Sequence, residues 1–270
     1  MKVGFMTNAW GSIYGGGGGV TSLVDSYYIS TGPETTAFPA IAKAGFECVE
    51  IFEGNLIAYE GRMGELNDLL SQNRLQLLGV YTGLNFIFED ALPEELAKVG
   101  RVLKLAREAG ARHLCVGGGA VRHDGIREGD YKMVAKGLDT VKRLAADQGI
   151  IASVHPHMGS AVQSPDQLDK VMAMTSIDIC PDCGHVLLGG GDPVAVVKKY
   201  IDRIKYIHLK DIKNGDAYPP GYGQIDFDAI LAMLKATGRP VDYTVEIDGY
   251  PGTPEDGAAM AYRYLKDRLS

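Results

Sequence analysis

Positive charge is in deficit in this chain, tryptophan occurs once, and cysteine occurs four times. Lys and Arg number 27 against 34 Asp and Glu, a formal charge of −7 with a pI near 5.4. That balance argues against a nucleic acid or an anionic membrane as partner. No apolar span reaches the 18 or so residues of a transmembrane helix. The sequence opens at once on a strand-like run, Met1-Lys2-Val3-Gly4-Phe5-Met6, without the apolar core of a secretory leader. The expectation is a soluble cytoplasmic protein, with self-association into a homo-oligomer left open. The cysteines are Cys48, Cys115, Cys180 and Cys183. Cys180-Pro181-Asp182-Cys183 matches C-x-x-C, but there is neither a second pair for zinc nor a thioredoxin-like βαβ start. Reduced thiols flanking a functional Asp182 are the simpler reading. The G-x-x-x-x-G-K-[ST] loop of nucleotide-binding proteins is also missing.

What is present is regular. The 270 residues are 46% hydrophobic, enough for one large core. Eight short apolar runs, at 3–7, 46–52, 77–81, 113–117, 150–154, 177–181, 204–209 and 243–247, alternate with helical patterns. Helix starts carry recognisable signals. Ser164-Pro165-Asp166-Gln167 places an N-cap Ser before a first-turn Pro, and Gly191-Asp192-Pro193 does so with Asp. Leu92-Pro93-Glu94-Glu95 opens a helix running through Glu108 to a C-cap at Gly110. A last helix spans 254–269. Eight β-then-α units predict an α/β fold, a (β/α)8 TIM barrel forming a single domain over 1–270. An open doubly wound sheet is the alternative. Glycines 15–19, 117–119 and 189–191 are expected after strand ends, on the functional face. The run at 15–19 reads equally as a lid and as a flexible insertion.

The chemistry is concentrated where apolar runs end. Ile150-Ile151-Ala152-Ser153-Val154 leads into His155-Pro156-His157. Ile177-Asp178-Ile179-Cys180-Pro181 leads into Asp182 and His185. Ile204-Lys205-Tyr206-Ile207 leads into His208-Leu209-Lys210-Asp211, and Tyr243-Thr244-Val245 into Glu246-Ile247-Asp248. In a parallel barrel these ends share one face. The two-residue strand period groups Ser153 with His155 and His157, Tyr206 with His208 and Lys210, Thr244 with Glu246 and Asp248, and Cys48 with Glu50 and Phe52, leaving Glu53 on the other side. A carboxylate inside a barrel is costly unless paired or bound to a cation. Asp182, His208 and Glu246 therefore converge as candidate ligands of one divalent ion. Their oxygen and nitrogen donors suit Mn²⁺, Co²⁺ or Zn²⁺, with Mn²⁺ preferred. Glu50 and Lys210 either contact substrate hydroxyls, with Lys210 as a proton donor, or close the barrel mouth as an ion pair. Trp10 and Asp248 are further candidate substrate contacts.

These segments, together with Gly190-Gly191-Asp192-Pro193 and Gly221-Tyr222-Gly223-Gln224-Ile225-Asp226, resemble the xylose-isomerase-like TIM-barrel superfamily, which includes sugar isomerases and epimerases, inosose dehydratase and endonuclease IV. The resemblance covers most of the chain and is strongest from residue 150 onward. His155-Pro156-His157-Met158-Gly159 and His208-Leu209-Lys210-Asp211 look most similar to inosose dehydratases. It implies a metal at Asp182, His208 and Glu246, with His185 at the metal's edge. Sugar epimerases of the superfamily carry a Glu where this chain has His155. With His155 as the fourth ligand, His157 is left as base, and the reverse assignment stays open. The additional ligands that the endonuclease IV resemblance implies are missing from strands three and four.

The expected activity is that of a metal-dependent enzyme on a small sugar or cyclitol bearing a ketone, through α-proton removal and β-elimination. A 3-keto glycoside is included in that class. Alternatives are an isomerase or epimerase of the same fold, and a non-catalytic sugar-binding barrel or partner-dependent subunit.

Overall fold

The computed structural model of the chain describes residues 1–11, 13, 14 and 26–269. The glycine run at 15–19 lies outside them. Eight parallel strands form the central sheet: β1 (Val3–Met6), β2 (Cys48–Phe52), β3 (Gln76–Thr82), β4 (His113–Gly117), β5 (Ile151–His155), β6 (Asp178–Ile179), β7 (Tyr206–Leu209) and β8 (Asp242–Val245). Their order is β6-β5-β4-β3-β2-β1-β8-β7. Two isolated parallel bridges, Ile179 to Ile204 and Asp182 to His208, join β6 to β7 and close the ring. This is the expected TIM barrel.

The strands read as continuous apolar runs because both faces are covered. One set of side chains, including Phe5, Val49, Ile51, Val80, Leu114 and Val154, packs outward against the helices. The other set, Met6, Cys48, Phe52, Leu78, Tyr81, Cys115, Cys180 and Tyr206, fills the barrel interior. All four cysteines are buried and unpaired. Helices follow as read: α1 (Glu34–Ala44), α2 (Met63–Gln72), α3 (Leu92–Glu108), α4 (Glu128–Asp147), α5 (Pro165–Met172), α6 (Pro193–Tyr200), α7 (Phe227–Ala236) and α8 (Pro254–Leu269). The Ser164 side chain accepts from Gln167 N in a full capping box, and Asp192 accepts from Val194 N. No helix is long and apolar enough to cross a membrane among the described residues.

Two local readings are corrected. The sixth strand shrinks from 177–181 to two residues, since Pro181 has no N–H to offer a neighbour, and the chain turns at once into a short helix, Cys183–Leu188, capped by Asp182. Gly189, Gly190 and Gly191 therefore follow a helix rather than a strand end. They form the turn into α6, with Gly190 at φ +84°.

One carboxylate organises the segment after β7. Asp211 is buried and accepts five backbone N–H groups, from Ile212 (2.9 Å), Gly221 (3.0 Å), Gly223 (2.7 Å), Gln224 (3.0 Å) and Ile225 (3.0 Å). A Cβ on Gly223 would lie 2.3 Å from Asp211 Oδ1, so only glycine lets the backbone come this close. The two motifs Lys210-Asp211 and Gly221-Tyr222-Gly223 are thus halves of one structural device. Asp211→Ala leaves five donors without their acceptor, and we expect a loss of at least about 3 kcal/mol, since hydrogen bonds to a charged group are worth roughly 1.5–3 kcal/mol each. Urea unfolding checks this, and an unchanged midpoint would contradict it.

Candidate active site

The site is built from the carboxyl ends of β5 to β8. The register sets Gly117 beside His155 and Thr244 beside His208, while the closing bridge sets Asp182 beside His208. One donor atom from each of His155, Asp182, His208 and Glu246 lies within 4.8 Å of the others. All four residues are buried. That spread is close to the roughly 4.4 Å between opposite ligands when each sits at 2.0–2.2 Å from an ion.

His208 is held on both ring nitrogens. Glu246 Oε2 lies 2.8 Å from Nδ1 and Glu50 Oε2 3.1 Å from Nε2. Burial alone would lower the imidazole pKa, but the facing carboxylates outweigh it and hold the ring well above its usual value. Burial pushes the Asp182 carboxyl up to about 7, against the nearby Lys210 charge. Burial would raise Glu246 as well, yet Lys210 and His208 hold it well below the ordinary carboxylate range. His155 is kept neutral by burial and by the charge of His208. Two buried atoms of the group, His155 Nδ1 and Asp182 Oδ2, have no hydrogen-bond partner. An imidazole nitrogen and a carboxylate oxygen without hydrogen bonds, in residues grouped with two further donors, fit a divalent cation. A second set, Cys115, Cys180, His155 and His208, is equally close. Its thiols are protonated, because burial raises Cys115 well above its ordinary value and Cys180 to about 11. The oxygen and nitrogen set is the better one for an ion.

Lys210 is the hub beside this group. Its Nζ lies 2.9 Å from Glu246 Oε1 and 2.9 Å from His185 Nε2. Asp248 Oδ1 lies at 2.8 Å and Asp182 Oδ2 at 3.5 Å. An ammonium only donates, so His185 accepts at Nε2 and carries its proton on Nδ1. Next to it lies His157, its ring tilted by 40° with 3.7 Å between ring centroids. The Nδ1 of His157 lies 2.7 Å from Met158 O. A carbonyl only accepts, so the neutral ring has its proton on Nδ1 and a bare lone pair on Nε2. Burial lowers the His157 pKa and keeps it in that form.

Above the group opens a cavity of about 630 Å³ whose lining includes His157, Glu246 and Asp248. Tyr81 packs edge-on against Tyr28, Phe52 and His155, at 5.7, 5.3 and 5.6 Å. Glycines 117–119 line one wall, as the sequence suggested. The expected substrate contacts divide. Asp248 is on the wall. Glu50 lies beneath His208, where it also accepts from Tyr206 Oη, and it is not paired with Lys210. It supports the site from below instead of facing the cavity. Trp10 is not part of the lining: its Nε1 donates to Glu255 at 3.1 Å, and its ring packs edge-on to Phe5.

Three contributors were not singled out in the sequence. Asn8, just after β1, donates from Nδ2 to Glu246 Oε1 at 3.2 Å. Tyr206 stacks flat on His113 at 4.3 Å. Lys98, from α3, reaches Glu53 Oε1 at 2.9 Å, with Ser26 O and Gly83 O at 3.1 and 2.6 Å. Asn8 follows a strand end and was legible in principle, whereas nothing local distinguishes Lys98 from the solvated lysines of its helix. The Lys98–Glu53 pair is buried, with 4% and 0% of the side chains exposed. Lys98→Met therefore strands a carboxylate, and we expect a loss of about 3–5 kcal/mol. The double substitution with Glu53→Gln should recover part of it, as measured by denaturant unfolding. A single variant as stable as the parent would show that the pair is not a structural tie.

Comparison with known proteins agrees with this architecture. A family model described as xylose isomerase-like TIM barrel matches residues 38–268. A protein of Clostridium beijerinckii named inosose dehydratase is 33% identical over 167 residues, covering 53% of this chain and 56% of its own. The match thus spans about half the length of that relative. A solved structure named as the probable 3-DHS dehydratase AsbF of Bacillus anthracis superposes with a TM-score of 0.73 at 15% identity, covering 98% of this chain and 99% of its own. One described as IOLI protein with a bound zinc atom does so at 0.73 and 17% identity, covering 100% and 96%. At these identities the structural likeness carries the fold alone.

Proposed function

The chain belongs to the xylose isomerase-like TIM-barrel family, and on that premise we propose that it is a metal-dependent lyase of the inosose-dehydratase type, acting on a keto-sugar or keto-cyclitol. The observation that carries this reading is His157 on the cavity wall, its ring proton held at Nδ1 by Met158 O, beside a buried group of two imidazoles and two carboxylates. His155, Asp182, His208 and Glu246 would hold a divalent cation, which would supply Lewis acidity toward a ketone. Mn²⁺ is the preferred ion for this donor set. The similarity to proteins named inosose dehydratase supports the same assignment.

The residues then have separate tasks. His157 Nε2 removes the α-proton, and the new imidazolium returns it to the β-hydroxyl as that group departs. The C–H and C–O bonds break, a C=C bond forms, and water leaves. One imidazole can serve as base and then as acid because the proton it removes is the one it returns. Lys210 contributes positive charge near the departing oxygen. The three carboxylates around it raise its pKa, so it acts by charge more readily than by losing a proton. His185, accepting from Lys210, fixes where that charge sits. The two-carboxylate shuttle of an epimerase has no counterpart here, since the strand-five position is His155. Four unpaired thiols suit a reducing compartment such as the cytoplasm.

Incubation of the Mn²⁺-loaded protein with inosose in deuterated water should give a dehydrated diketone. Recovery of an epimer or an aldose–ketose isomer alone would replace the lyase reading by an isomerase one, and a protein that takes up no divalent ion would remove both. His157→Ala should keep its metal and lose roughly 10²-fold or more in kcat, the usual worth of a general base. His155→Ala should lose the metal. Loss of metal from His157→Ala instead would exchange the two roles.

A further inference from the structure

The cavity has a charge pattern that restricts what can enter it. Among the described residues lining it, Lys98 is the one Lys or Arg. An ammonium has three donors, and those of Lys98 meet Glu53, Ser26 O and Gly83 O. Lys210, below Asp248, is used in the same way by Glu246, Asp248 and His185. Residues 12–25 contain no Lys, Arg or His. TIM barrels often bind phosphate at a helix N-terminus after the last strands, but here α8 opens on Pro254, Glu255 and Asp256. The wall itself contributes the carboxyl groups of Glu95, Glu246 and Asp248. Away from the proposed ion at the floor, a phosphate or carboxylate on the substrate would find no free cationic side chain along this wall and would face the carboxyl groups of Glu95 and Asp248.

The mouth has the opposite character. Tyr28, Val121 and Met158 line the cavity and are 38%, 41% and 36% exposed. Three large apolar side chains left in water around one opening mark a ligand surface more than a random distribution would. We propose that the cavity takes an uncharged molecule in two parts, a polyol ring at the floor and an aryl or alkyl group against Tyr28, Val121 and Met158, and that it rejects phosphorylated and carboxylated sugars. This rests on the site being a sugar or cyclitol pocket, but not on which reaction occurs there.

The test is equilibrium binding to the full Mn²⁺-loaded chain, by calorimetry. The probes are methyl, hexyl and phenyl glycosides of glucose, galactose and mannose, with their 6-phosphates and the corresponding uronides. Phenyl or hexyl glycosides should bind at least about tenfold more tightly than methyl ones, the scale of a few buried methylenes, and every charged form should bind more weakly than its uncharged parent. Val121→Ser with Met158→Ser, which replaces two exposed side chains and keeps the Met158 carbonyl on His157, should abolish the apolar preference and leave the melting temperature unchanged. A phosphate or uronide that binds as well as its parent, equal methyl and phenyl affinities, an unaltered preference in the double variant, or no binding by any probe would each overturn the proposal. Turnover to an epimer would sink the lyase assignment and leave this binding order intact.

Discussion

Charge balance inside the barrel mouth is the constraint on which the site depends. Glu50, Asp182 and Glu246 are buried together with one lysine, Lys210. Three carboxylates against one ammonium leave two negative charges in a place where water cannot screen them. A divalent cation removes that imbalance. With one bound, His208 would be among the residues that hold it, and Glu50, 3.1 Å from His208 Nε2, would fix the ring. This is the carboxylate–histidine arrangement by which proteins fix the tautomer of a metal ligand. Left to protons alone, the facing carboxylates raise His208 well above its usual value despite burial, while burial, with Glu246 nearby, raises Asp182 to about 7. Both shifts reduce the negative charge held in the barrel mouth.

The barrel's closure and its chemistry coincide. Seven of the eight strand junctions are ordinary parallel ladders, whereas β6 and β7 meet only through two isolated bridges. One of these joins Asp182 to His208, and His208 N donates to Pro181 O at 3.1 Å. A short β6 frees Asp182 to cap the helix Cys183–Leu188, and that helix carries His185 to Lys210. Lengthening the strand would close the seam more firmly and would remove this turn. Asp211 then fixes the chain leaving β7, so Lys210 is positioned from both ends by backbone that cannot drift. Preorganisation of this kind is what holds a small constellation of charges in working geometry.

How much of this was legible in the sequence follows from the range of each interaction. The strands were visible as apolar runs, and the site residues were visible as polar groups at their ends. The period of two placed His155, His208 and Glu246 on one side without any knowledge of the partners. The caps at Ser164 and Asp192 are local and were read directly. What could not be read were pairings set by tertiary structure. Glu50 and Lys210 both point inward, but strand tilt puts Glu50 under His208 and Lys210 above it, so they never meet. Lys98 is about as far from Glu53 in sequence as one βα unit is long. It is buried with its ammonium on the carbonyls of Ser26 and Gly83, and neither residue carries a periodic signal. Trp10 follows a strand end as the site residues do, yet its indole N–H is taken by Glu255 on α8.

The two buried lysines divide the work. Each has its three donors satisfied, but by different kinds of partner. Lys98 bonds one carboxylate and two carbonyls, so its net effect is to neutralise Glu53 and to tie residues 26 and 83 to α3. Lys210 has two close carboxylates, a third at 3.5 Å and an imidazole, so negative charge remains in excess around it. That excess makes the first a structural tie and the second part of a reactive group. A cation added beside Lys210 lowers the total field, whereas one added beside Lys98 would find its acceptors already taken. The barrel thus places its surplus of carboxylate at one depth, next to the only imidazole among the described residues that lines the cavity, His157. On the proposed reading, a cation held there would acidify the substrate C–H at the same depth.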